Sequence, residues 1–258
     1  MPSYRLNFLR SAAALVLLVC GYSAAKAGCD TENFPIAIDI GHTALSPGAI
    51  SAHGRTEFEY NLALGQHVAA ALRSAGFPTE TIVVEGEGKA QLRKRVARAN
   101  ALNPRLLISI HHDSAQARFF KTWEYNGRIL KHADQFSGYS LFVSRANAKF
   151  EDSSIFATLL ADQLLSAGLA FSTHHAANID GERRELLDPQ RGIFEYKNLR
   201  VLKETQMPAV LLEAGVIVNR DEELFMATPE RQRAISGAIA LAAIKMCGGG
   251  QSIGLVLR

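Results

Sequence analysis

The chain predicts a single α/β domain: an open, mostly parallel, twisted sheet of about six strands with helices on both faces. Three observations carry this expectation. Short apolar runs at Ile36–Ile40, Leu106–Ile110 and Ala209–Leu212 have the length and composition of strands, and Leu106–Ile110 is apolar enough to be buried on both faces. Segments with helical spacing of apolar residues lie between them. Each run also ends in residues that carry chemistry: Gly41-His42, His111-His112-Asp113 and Glu213. Parallel neighbours would gather those ends on one rim, where open α/β sheets bind their ligands.

The opening segment stands apart from this pattern. Arg5 and Arg10 flank a positive start, Ala12–Val19 is unbroken apolar sequence, and Ala25-Lys26-Ala27 offers small residues where a signal peptidase reads. Residues 1–27 are therefore expected to be a cleaved secretory signal. A membrane anchor would need roughly 20 apolar residues, and a lipid on Cys20 would follow bulky Val19. Residues 28–248 would form the domain, and 249–258 a flexible tail. Arg5, Arg10 and Lys26 are the charges of the first segment, so the +3 chain becomes near neutral without them. A near-neutral exported protein with no basic tract interleaved with aromatics speaks against nucleic acid. Cys29 and Cys247 remain at opposite ends of the domain, where a disulfide and two free thiols are both open.

Along the domain, Gly41–Arg55 reads as a loop rich in Gly, Ser, Pro and His. A helix follows over Glu57–Ser74 with Phe58, Leu62, Gly65, Ala69 and Leu72 on one face, ended by Gly76. Thr81–Val84 reads as a short strand. In the helix Ala90–Ala101, Leu92, Val96 and Ala99 face inward, while Arg93, Lys94 and Arg98 are solvated. Ala115–Ser137 lacks a clean period and is expected to be an elaborated loop or short helix. Tyr139–Ser144 alternates like a strand, and Ser153–Ala167 is a helix packed through Ile155, Leu159 and Leu164. Ala170–Gly192 has the composition of a surface loop beside the cleft. Asn198–Leu202 is a further strand candidate. Asn219 with Glu222 is a capping-box pattern, and Thr228-Pro229 opens a final helix to about Met246.

Imidazole and carboxylate together suit zinc, and catalytic zinc usually keeps three protein ligands. His42 and His111 would supply two, with His112 as an alternative to His111. Glu57 is the best third, at the start of the helix after the Gly-rich loop. Glu59 competes with it, but lies roughly 200 degrees round the helix from Glu57. Glu213 would then be free to take a proton from water and carry it to a leaving nitrogen. The chain contains no HExxH sequence.

Five stretches, in order, carry a family resemblance: Ile38-Asp-Ile-Gly-His42, Glu57-Phe-Glu-Tyr-Asn61-Leu62, Leu92-Arg-Lys-Arg-Val-Ala-Arg-Ala-Asn100, Ser109-Ile-His-His-Asp113 and Met207-Pro-Ala-Val-Leu-Leu-Glu213-Ala-Gly. The chain resembles the zinc-dependent N-acetylmuramoyl-L-alanine amidases, cell-wall enzymes with a doubly wound α/β catalytic domain. The resemblance puts His42, Glu57 and His111 on metal-ligand positions, Glu213 on the catalytic glutamate, and Asn61 on a structural position near the site. It implies Zn2+ as cofactor and hydrolysis of the amide between N-acetylmuramic acid and the first L-alanine of the stem peptide. Peptidoglycan glycan strand and stem peptide would be the partners of a monomer in the periplasm or at the cell surface, with a possible protein activator. Thr43 and Ala44 depart from the family's two glycines after the histidine and narrow the space above His42. Phe119, Phe120, Trp123 and Tyr125 are candidates to stack on substrate or to pack on the domain. Two alternatives use the same residues: another exported zinc peptidase or deacetylase of wall material, or a non-catalytic descendant that binds peptidoglycan or a regulator. His174 and His175 have no role in this reading.

Overall fold

In a computed structural model of the chain, residues 28–249 are described. The expected signal segment with Cys20, and the tail from residue 250, lie outside them. Seven strands form one sheet: β1 (Ile36–Ile40), β2 (Thr79–Ile82), β3 (Leu106–Asp113), β6 (Ser140–Val143), β7 (Leu186–Asp188), β8 (Ile193–Glu195) and β9 (Ala209–Val216). Their spatial order is β2-β1-β3-β9-β6-β8-β7. The pairs β1–β2, β1–β3, β3–β9 and β6–β8 are parallel, while β6–β9 and β7–β8 are antiparallel. The helices are α1 (Glu57–Ser74), α2 (Gly88–Leu102), α3 (Phe150–Ser166), α4 (Arg200–Glu204), α5 (Arg220–Met226) and α6 (Pro229–Cys247). No helix among the described residues is long and apolar enough to cross a membrane.

Strand alternation divides the interior into two cores. Ile36, Ile38 and Ile40 of β1, with Leu106, Ile108 and Ile110 of β3, face the layer formed by α1, α3 and α6. Ala37, Leu107, Ala209 and Leu211 face the opposite side, with Val96 and Ala99 of α2 and Val201 and Leu202 of α4. Both faces are thus covered, which explains why the central strands read as continuous apolar runs. The chain leaves β1 for the β2 edge and crosses back to β3. The direction of winding therefore changes between β1 and β3, and a crevice opens beyond their carboxyl ends.

Several elements differ from expectation. Asn198–Leu202 is not a strand: Leu199 precedes the short helix α4, which buries Val201 and Leu202 against α2 and β9. Strand β8 takes the position beside β6 instead, and β7, which arises inside the expected loop Ala170–Gly192, forms the edge. Ala115–Ser137 contains a short 3-10 turn and a hairpin of β4 (Lys121–Tyr125) and β5 (Arg128–His132). Asn126 and Gly127 make its turn with φ of 50° and 72°, the left-handed pair that a two-residue hairpin turn requires. The buried face of α1 runs through Tyr60, Asn61, Leu64, Gly65, Val68, Ala69 and Leu72. Phe58 and Leu62 sit at its margin, half-buried. A Cβ on Gly65 would run into Ile40 Cδ1, so the absent side chain lets α1 lie directly on β1. Asn219 caps α5 by accepting from Asp221 N and Glu222 N, but Glu222 does not close the box. Its carboxylate accepts instead from Gly138 N and Val216 N. Cys29 and Cys247 form a disulfide with their Cα atoms 5.0 Å apart.

Candidate active site

β1 carries the chain to Gly41 and His42 at the crevice. Gly41 is held close: a Cβ there would fall 2.5 Å from the His111 ring. His42 adopts φ 68°, a conformation uncommon for a residue with a side chain. Its imidazole points back toward α1, with Nε2 3.0 Å from Glu57 Oε2. Gly48, at φ +78°, passes so near that a Cβ would collide with both Glu57 and His42.

Glu57 is delivered by the first turn of α1, and the cap fixes where that turn starts. Thr56 Oγ1 accepts from Glu59 N, and Glu59 Oε2 accepts from Thr56 N, a reciprocal capping box. Glu59 is therefore occupied as a cap, which removes the competitor. Glu57 is 5 % exposed. Its Oε1 lies 2.9 Å from His111 Nδ1, and Asn61 Nδ2 and Ala49 N donate to the carboxylate. Burial pushes this carboxyl up, yet the hydrogen bonds and charges of His111 and His42 hold it well below the usual carboxylate range. Burial pushes His111 down, against the pull of Glu57.

His112, the alternative to His111, is turned away. Its Nδ1 meets Asn61 Oδ1 at 2.7 Å, and burial lowers its pKa to about 3. Asn61 also donates to Gly41 O, so one amide ties α1 to the ends of β1 and β3. The donor atoms of His42, Glu57 and His111 all lie within 4.8 Å of one another. Two imidazoles and an ionised carboxylate in that space are a donor set for zinc.

Glu213 stands in register opposite His111 across the β3–β9 pair. Both line a cleft of about 480 Å³ that also admits His42, Asp113, His175 and Arg184. Glu213 Oε2 is shielded from solvent with no hydrogen-bond partner. Burial raises its carboxyl well above the ordinary value, and the charges of Asp113 and Glu57 raise it further. His42, His111 and Glu213 therefore line one cleft, and Glu57 touches it through its contacts with the two histidines.

Other residues of the site were missed. Arg95 of α2 is 2 % exposed; its Nε donates to Asp39 Oδ1 at 2.7 Å, and its Nη2 lies 3.2 Å from His111 Nε2. Ser109 Oγ donates to Asp39 Oδ2. Asp39 stays ionised below its ordinary pKa because Arg95 and Ser109 outweigh the cost of burial. Gln91, Arg95 and Ala99 share one buried stripe at i, i+4 spacing, and that phase was the available signal for Arg95. His174 and His175 approach Asp113 from the far side of the cleft. The aromatic residues of the hairpin region pack on the domain: Trp123 Nε1 donates to Ala52 O, and Phe119 and Phe120 lie against Val216 and Val218.

Residues 36–245 match a family described as N-acetylmuramoyl-L-alanine amidase. A putative N-acetylmuramoyl-L-alanine amidase of Buchnera aphidicola is 27% identical over 217 residues, 80% of this chain and 93% of that one. The catalytic domain of CwlV, an N-acetylmuramoyl-L-alanine amidase of Paenibacillus polymyxa, is 25% identical with a TM-score of 0.58. That match covers 81% of this chain and 95% of the CwlV domain. Ami1 of Mycobacterium smegmatis shares the fold at a TM-score of 0.65 and 21% identity, over 86% of this chain and 99% of its own.

Proposed function

Because the chain belongs to the N-acetylmuramoyl-L-alanine amidase family, we propose that it is a zinc-dependent hydrolase of bacterial peptidoglycan, cleaving the amide between N-acetylmuramic acid and L-alanine. The observation that carries the zinc dependence is the convergence of His42, Glu57 and His111 donor atoms beside the unpartnered carboxylate oxygen of Glu213. The fit to a metal is chemical as well as spatial: two imidazoles and a carboxylate converge, the ligand types that zinc takes.

In this reading His42, Glu57 and His111 hold Zn2+, which supplies Lewis acidity toward an amide carbonyl and acidifies water. Glu213 is the general base. Its Oε2 has no competing donor, so it is free to accept a proton from the attacking water. The same oxygen, with no other partner in the fold, can then deliver that proton to the departing alanine nitrogen. Arg95 and Asp39 orient His111 from behind, and Asn61 locks α1 to the strand ends. Residues 28–248 are the catalytic domain, residues 1–27 an export signal, and the site of action is the periplasm or cell surface.

The test is zinc content together with mass spectrometry of muropeptides, comparing the domain with Glu213→Gln. Bound zinc in both, with intact stem peptides released only by the parent, is the expected result. Cleavage within the stem peptide, or acetate release, would mark the peptidase or deacetylase instead. Absence of zinc would overturn the metal assignment.

A further inference from the structure

Asp113 and His175 line the same cleft, and with His174, which lines a small neighbouring cavity, they form a second group of donors outside the set assigned above. Asp113 ends β3, and the 3-10 turn His174–Ala176 brings two imidazoles to it. His175 Nε2 is 2.7 Å and His174 Nε2 is 3.3 Å from Asp113 Oδ2. All three donor atoms lie within 4.8 Å of one another.

The far side of each ring is fixed. His175 Nδ1 meets Glu182 Oε2 at 2.9 Å, and His174 Nδ1 meets Ser172 Oγ at 2.7 Å. With the carboxylate and hydroxyl holding the Nδ1 atoms, both Nε2 atoms are presented inward. This is how outer partners orient metal-ligating histidines. The His174 side chain is 7 % exposed, and its Nε2 makes no hydrogen bond, despite facing a carboxylate. A buried ring nitrogen left unpaired is costly unless something else takes its lone pair. The 3.3 Å between His174 Nε2 and Asp113 Oδ2 is near the roughly 3.4 Å between ligands around tetrahedral zinc. His175 Nε2 and Asp113 Oδ2 are at hydrogen-bond distance, 2.7 Å, a contact that an ion would replace. Phe136 and Phe142 pack against the two rings and give the group an apolar shell.

We propose that Asp113, His174 and His175 form a second cation site for a divalent zinc-class ion on the wall of the cleft, with Glu182 orienting His175. The ion would pin the segment containing His174 and Glu182 to the end of β3. It would also put a positive centre on the wall that Glu213 shares, where Arg184 is the neighbouring cation. A solvated charge cluster would not leave His174 Nε2 idle, whereas a third ligand has a use for it.

The test counts ions rather than turnover. The domain is equilibrated with excess zinc, freed of loose metal by gel filtration, and assayed by mass spectrometry of the element. His174→Ala and His174→Gln should each hold one ion fewer per chain than the parent. In a His42→Ala background zinc should still bind and raise Tm by a few degrees, and adding His174→Gln should abolish both effects. The difference between parent and His174 variants does not depend on whether the first site is filled, so failure of the two assignments can be told apart. His174 is chosen because its Nε2 holds no hydrogen bond, and metal-free Tm checks that folding is unchanged. Equal zinc content in the parent and both folded variants would overturn the site.

Discussion

A guanidinium shielded as Arg95 is must be matched charge for charge, and Asp39 matches it while Ser109 fills a remaining lone pair. Truncating one partner strands the other. Arg95→Ala should therefore lose about 3–5 kcal/mol of stability, the range for breaking a buried pair, read as a lower midpoint in urea. Glu213 belongs to another category, because nothing in the fold leans on its free oxygen. Glu213→Gln should leave urea stability near that of the parent and lower kcat by about 10²- to 10⁴-fold, with zinc retained. The contrast explains which site residues were legible. His42 follows a strand and Glu57 starts a helix, while His111 and Glu213 lie within β3 and β9, where polar side chains interrupt apolar sequence. Arg95 is surrounded in sequence by Arg93, Lys94 and Arg98, which do face solvent, so composition masked its inward phase. Asp113 and His175 are 62 residues apart, and no local pattern joins a strand end to a histidine in a distant loop.

The start of α1 does two jobs, since the cap that ends the Gly-rich loop also aims Glu57. Thr56→Ala removes the acceptor for Glu59 N and should cost about 1 kcal/mol. Zinc affinity should fall with it, because Glu57 is the first residue past the cap; competition with a chelator would measure this. A loss of stability with unchanged zinc affinity would show that the loop, through Gly48 and Ala49, positions the carboxylate unaided. Such signals made the starts of α1 and α6 readable: Thr228 accepts from Arg231 N, with Pro229 next, as the sequence implied. The three-residue strands β7 and β8 were not readable, because pairing partners rather than their own period define them. The α4 segment fails for a related reason. Leu199, Val201 and Leu202 fit a buried turn of helix as well as an edge strand, and only the neighbouring α2 decides. The β4–β5 hairpin is a different case, since Asn126-Gly127 was a visible turn signal between residues of strand-like composition.

At the scale of the whole molecule, two long-range ties should dominate how stability responds to solution conditions. His175 joins the 170–192 segment to β3; burial lowers its pKa, but Asp113 and Glu182 more than compensate and push it up to about 9. A folded pKa above the unfolded value, about 6.5, means the contribution is complete below pH 6.5 and lost as pH rises through 9. Zinc-free protein should melt at lower temperature above pH 9 than near pH 6, and His175→Gln should flatten that window. The second tie is the Cys29–Cys247 disulfide, which spans 218 residues of sequence. It joins the segment before β1 to the end of α6, both already packed against the α1–α3–α6 core. Since packing holds these ends together in the folded state, the bond acts mainly on the unfolded chain, removing up to roughly 5 kcal/mol of its loop entropy. Reduction, or Cys29→Ser with Cys247→Ser, should lower unfolding free energy toward that limit while leaving activity intact. The urea m value should rise, because an unlinked denatured chain exposes more surface. An unchanged m value with lost activity would instead place the effect in the native state, as a displacement of α6 transmitted to the sheet beneath it.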